Sequence, residues 1–201
     1  MVYKLKDIII KLIILINMLL TIGLSDEYIS FGGEIFSMSG DARISALGGT
    51  NPSLSGSSGQ IFNNPALSQI IHSNILTFSY RNQFSGLADF YLFSTPIKIL
   101  TENTSIGIIH RSISDIPYTN DAFELVNGFP HLIDYNLITT FDHTELGFLL
   151  SLSGKFKKYL IGINIKTLFY SIYTEKAFGF GLDFGSVWNI NSNTLIGITL
   201  H

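Results

Sequence analysis

The chain of 201 residues contains no cysteine, which excludes disulfides and thiolate metal sites and leaves no residue for an acylated lipoprotein anchor. Charge is scarce as well. Only 13% of the residues are Asp, Glu, Lys or Arg, about half of what a soluble domain carries. The net charge is -3 and no cluster of Lys or Arg follows Lys11, so the concentrated basic face that a nucleic-acid backbone requires is missing. Beyond Leu67 there is no long apolar period of 3.6 residues, which argues against a helical domain. What the chain does contain is 46% apolar residues, with 16 Phe, 9 Tyr and 18 Gly. That balance asks for a non-aqueous surround or a very deeply buried sheet.

The first eleven residues carry Lys4, Lys6, Asp7 and Lys11, and an uncharged aliphatic run from Leu12 to Leu24 follows them. A basic stretch, an apolar run of this length and small residues at Gly23 and Ser25 have the layout of a secretory signal peptide over 1–25. A spanning helix would need about 20 apolar residues, and this run is shorter. The reading divides the chain into the signal 1–25, a linker and irregular segment 26–73, and strands over 74–201.

Those strands are expected at 74–83, 88–97, 104–113, 145–156, 159–173, 178–190 and 194–200, because apolar and small or polar residues alternate there and Gly, Asn, Ser and Lys mark the breaks. In the sixth, Phe178, Phe180, Leu182, Phe184, Trp188 and Ile190 share one face, with Gly179, Gly181, Asp183, Gly185 and Asn189 on the other. In the fifth, Ile161, Ile163, Ile165 and Phe169 oppose Gly162, Asn164 and Lys166. A soluble β-sandwich alternates too, but it keeps charges on its outer faces. Glycine weakens a strand and is poorly used on a solvent face. An antiparallel transmembrane β-barrel explains both faces, with lipid against the aromatic side and a crowded lumen against the glycines. The lumen is then polar at Arg81, Arg111, Asn164, Lys166 and Asp183. The joins at 156–158 and 191–193 are tight, whereas 114–144 reads as an outward loop of some thirty residues.

The stretch 39–67 fits neither element, since glycines, serines and the steps Asn51-Pro52 and Asn64-Pro65 keep interrupting it. It contains A-R-I-S-A-L-G-G (42–49) and F-N-N-P-A-L (62–67). These two half-motifs together resemble the N-terminal signature of the PorV/PorQ family of outer-membrane proteins, and the Asn-Pro-Ala-Leu ending is closer to PorQ. That family is similar to the long-chain fatty-acid transporter barrels. The resemblance implies that Ala42, Arg43, Ala46, Leu47, Gly48, Gly49, Asn64, Pro65, Ala66 and Leu67 belong to a plug-like segment in or near the lumen. It further implies an outer-membrane component of type IX secretion, in contact with membrane lipid and with cargo or other secretion proteins. Uptake of a hydrophobic solute such as a long-chain fatty acid is the alternative, and a secreted adhesive β-domain a third reading. The polar lumen favours the first.

No enzyme is expected, and no cofactor. His72, His110, His131, His143 and His201 show no metal-ligand spacing, Gly179 and Gly181 are followed by no helix, and the acidic residues of 114–144 lack a calcium-loop pattern. Two geometric expectations complete the reading. With the tip of the fifth and sixth strands near 173–176, paired numbers sum to about 349, which sets Lys166 opposite Asp183 and brings Tyr159 and Trp188 to one level. Seven strands would leave two open edges, so the chain is expected to form a partial barrel, as a truncated product or as one of two copies that pair edge to edge.

Overall fold

The computed structural model describes residues 33–38, 40, 42–49, 52–53, 56–71, 75–97, 103–191 and 194–201. The expected signal peptide lies outside the described residues, as do residues 26–32 and the joins at 98–102 and 192–193.

The protein is all-β. Strands β1 (Thr77–Gln83), β2 (Ala88–Ile97), β3 (Thr104–Tyr118), β6 (Thr139–Phe156), β7 (Tyr159–Ile172), β8 (Glu175–Asn191) and β9 (Thr194–Leu200) form one antiparallel sheet in the order β1-β2-β3-β6-β7-β8-β9. The sheet is curled into a half-barrel, with β1 and β9 at its edges. Two short strands, β4 (Phe123–Val126) and β5 (Phe129–Leu132), make a separate hairpin.

All seven expected strands are present, and the largest departure concerns the expected loop 114–144. β3 and β6 run on through a bulge between Ile113 and Ile116, where Asp115 takes a positive φ of 59°. A bulge leaves one or more residues unpaired and shifts the alternation, which ends the pattern in the sequence although the ladder continues. What remains of the loop is mostly the β4–β5 hairpin, closed by Asn127 and Gly128 at φ 54° and 82°. Positive φ at both turn positions is the signature of a type I′ turn, for which Asn-Gly is the preferred pair.

The register of β7 and β8 is also corrected. Ile172 pairs with Glu175 across a tight turn in which Tyr173 has φ 53°, so paired numbers sum to 347 rather than 349. Asn164, not Lys166, stands opposite Asp183. Because the sum is odd either way, the face assignment survives, and Lys166 reaches Asp183 diagonally with Nζ 2.5 Å from Oδ1. Tyr159 pairs with Trp188 and their rings stack at 5.8 Å.

The convex face of the sheet exposes large apolar side chains, and the concave face buries polar as well as apolar ones. Phe78, Tyr80, Phe178, Phe180, Phe184 and Ile198 are exposed on the convex side. Ser94, Ser105, Glu145, Ser151, Asn164 and Asp183 are buried on the concave side. On β7 the convex side chains between Tyr159 and Phe169 span ten residues, about 33 Å of strand at ~3.3 Å each. At a barrel-like tilt that projects to roughly 25 Å, the height of a lipid-facing band. Phe156, Tyr159 and Trp188 mark one margin, and Tyr80, Tyr91 and His110 lie in register at the other.

Candidate functional site

Residues 33–71 fold as a series of single turns that lie against the concave wall. The first is a 3-10 turn, Glu34–Ser37, which buries Ile35 and Phe36. The second is a five-residue helix, Ala42–Ala46, with Ile44 buried. Its end explains the A-L-G-G part of the first half-motif. Gly48 at φ 79° donates to the carbonyl of Ser45 and Gly49 donates to that of Ile44, at 3.1 and 2.9 Å. This is the Schellman arrangement, which needs a left-handed residue where Gly48 stands. Arg43, Ala46 and Leu47 point outward and are exposed, and the wall's Arg81 donates a hydrogen bond to Ser45.

The second half-motif is built around Asn64, which is fully buried. Its Oδ1 accepts from the amide of Ala66 at 2.9 Å and so caps the 3-10 turn Pro65–Ile70, with Pro65 at the first position, where no donor is needed. Its Nδ2 donates to the carbonyl of Pro52 at 2.7 Å and to that of Ser186 on β8 at 3.3 Å. One side chain thus ties two parts of the segment to the wall. Asn63 Nδ2 donates to the carbonyl of Gly49 at 3.1 Å, so the two half-motifs, fourteen residues apart at this contact, touch each other. Ala66 and Leu67 are fully buried against Leu160 and Val187.

Between segment and wall lies a core that the alternation did not reveal. Ile35, Phe36, Ile61 and Phe62 pack on Leu92, Ile109, Leu149 and Leu168. The concave face is therefore not uniformly polar, as the sequence suggested, but layered. Arg81, Phe90, Arg111, Glu145 and Tyr170 lie in register as one row across the sheet. Arg111 is ion-paired with Glu145, and His143 Nε2 lies 3.3 Å from the same carboxylate. Below them comes the aliphatic layer, and below that the Lys166–Asp183 pair, with Asn164 Nδ2 donating to Asp183 Oδ2 at 3.0 Å and to the carbonyl of Ile61 at 2.8 Å.

Wall glycines make this approach feasible. A Cβ on Gly162 would stand 2.5 Å from the backbone of Pro65 and Ala66, one on Gly185 would stand 2.0 Å from Asn64 Oδ1, and one on Gly147 would stand 2.6 Å from the Phe36 ring. Among the described residues, no segment atom lies within 4 Å of a Cβ placed on Gly179 or Gly181, and one on Gly181 would meet Lys166. The wall is smooth where the segment touches it. Overpacking a filled site costs about 1–3 kcal/mol. Gly185→Ala is therefore expected to lower the unfolding midpoint and to speed tryptic cleavage after Arg43, whereas Gly179→Ala should do neither.

Among the described residues no group of three His, Asp or Glu side chains could hold a metal ion. Comparison with family models, with curated proteins and with solved structures gives no match.

Proposed function

We propose that the chain is an outer-membrane β-barrel protein of the PorV/PorQ type, working in type IX secretion in contact with cargo or other secretion proteins. In this reading lipid covers the convex face and residues 39–67 act as a plug. The observation that carries the membrane part is the apolar convex face: large aromatic and aliphatic side chains are exposed across a band of membrane height, while the ion pairs are buried on the other face among the core residues. In water that band would be an exposed apolar patch far beyond what soluble proteins tolerate. No described helix is long and apolar enough to cross a membrane, so the strands would do so.

The secretion role rests on the resemblance of 42–49 and 62–67 and on the way the concave side is filled. Beside Phe90 and Leu92 the space between segment and wall is about 20 Å³, room for about one water, and an open cleft of about 310 Å³ adjoins it between Ser37, Met38, Ser45, Gly49 and Arg81. A segment packed against the concave side in this way favours holding partners over passing a hydrophobic solute. The test is to express the whole chain in a Gram-negative host and wash membranes with alkaline carbonate. The proposal expects carbonate-resistant protein in the outer-membrane fraction, and recovery in the soluble periplasmic extract would overturn it. In the native bacterium, deletion should strand secreted cargo in the periplasm and leave fatty-acid uptake unchanged; the reverse outcome would favour the uptake channel.

A further inference from the structure

We infer that the β4–β5 hairpin is a docking edge for an extended polypeptide segment that carries both basic and apolar side chains. This narrows the protein-partner part of the function proposed above. Because the hairpin is separate from the seven-stranded sheet, its test does not depend on whether that sheet meets lipid.

The hairpin is well formed but covers nothing. All four residues of β4 are exposed, as are the first three of β5, and at the tip Leu125 and Phe129 are 76% and 75% exposed. Its base is secured by the amide of Ile133, which donates to the carbonyl of Ala122 at 2.8 Å, and Ala122 itself is buried. A hairpin that presents apolar side chains to the outside offers a surface for a partner.

Backbone geometry decides which edge is available. With a two-residue turn, Val126 and Phe129 form the closing hydrogen-bonded pair, so Leu125 and Pro130 form the next, non-hydrogen-bonded pair. The backbone groups of a non-hydrogen-bonded pair point away from the hairpin. On β5 that position is Pro130, which has no N–H, and the edge is blunted there. On β4 the corresponding residues, Phe123 and Leu125, keep both donor and acceptor, and β4 pairs with β5 alone. The β5 edge lacks a donor at Pro130 and keeps both groups at Leu132 alone, whereas the β4 edge is uninterrupted.

Charge selects the partner. Residues 114–144 include Asp115, Asp121, Glu124, Asp134 and Asp142 and contain no Lys or Arg. Asp134 and Asp142 already accept backbone hydrogen bonds, from Asn136 and Asp115. Asp121 and Glu124 flank the start of the open edge. A strand added to β4 would set its side chains on the same two faces, one beside Phe123 and Leu125 and the other beside Glu124 and Val126. Apolar residues suit the first face and the Val126 end of the second, and Lys or Arg suits the position beside Glu124. Anionic lipid headgroups are repelled by the same acidic surface, so a polypeptide is the fitting occupant.

The probe is a labelled peptide of alternating Lys and Val, seven residues long, added to the full chain in detergent micelles and followed by fluorescence anisotropy. Saturable binding is expected, with slower amide exchange at Leu125 in the complex. Binding should fall at least tenfold in the Asp121→Lys, Glu124→Lys double variant and at least tenfold for a peptide with Pro at two alternate positions. Pro130→Val leaves β4 untouched and restores the N–H that β5 lacks, so it should bind no more weakly than the parent. Equal binding of an alternating Glu-Val peptide or indifference to peptide proline would each overturn the inference.

Discussion

Leu182→Arg should destabilise the protein in a lipid or detergent folding titration by about 2–4 kcal/mol, the cost of a cationic side chain at mid-depth on the lipid face of a barrel. Leu182 projects from the convex face and is 43% exposed. Its partner Ile165 stands midway between Tyr159 and Phe169 along β7, so the position falls near the centre of the apolar band. Depth supplies the control. Thr144 is on the same face of β6, beyond the row formed by Tyr91, His110 and Leu146. Thr144→Arg should cost about 0–1 kcal/mol, because near the interface the side chain reaches headgroups and water. If the convex face meets water instead of lipid, both substitutions will be tolerated, since arginine replacing an exposed leucine in water loses little. Equal tolerance at 144 and 182 would therefore overturn the lipid reading without touching the fold.

Which parts of the molecule were legible in the sequence follows from the physics of alternation. A strand with one apolar and one small or polar face declares itself residue by residue, and so β6, β7 and β8 and the assignment of their faces could be read directly. Register within a face depends on the turn alone. The tight turn at Tyr173 moved the sum from 349 to 347, and a side chain as long as lysine hid the error by reaching across the diagonal to Asp183. The hairpin at 123–132 was missed although Asn127-Gly128 is a strong turn signal, because its short strands are exposed on both faces and show no clean alternation. Buried residues of the segment such as Ile35, Phe36 and Ile61 sit in single turns, where no period can build up. Glycine was the better guide. Its placement on one face of β7 and β8 signalled close approach, and Gly162 and Gly185 are where Pro65 and Asn64 arrive.

The largest single effect is expected at Asp183. It is 1% exposed, accepts from Asn164 at 3.0 Å, pairs with Lys166 Nζ at 2.5 Å and has His201 Nδ1 at 3.1 Å. Lys166 is largely enclosed as well, with its ammonium 5.1 Å from the centre of the Phe36 ring. Asp183→Ala would leave that ammonium without its carboxylate in a largely enclosed place. Breaking one partner of a buried pair in this way costs about 3–5 kcal/mol, whereas removing both charges can be nearly neutral. The pair is thus expected to be strongly coupled. Asp183→Asn keeps an acceptor for Asn164, and combined with Lys166→Met it also removes the orphaned charge. This double variant should recover most of the stability that either single change loses. The loss in Asp183→Ala should also reach the segment, since Asn164 holds the carbonyl of Ile61 with the same amide that it presents to Asp183. Cleavage by trypsin after Arg43 should then accelerate in the single variant and return toward the parent rate in the double. If Asp183→Ala fails to fold, Asp183→Asn, Lys166→Met and their double variant still decide the matter: losses from the two sites that merely add would mean the charges do not depend on each other.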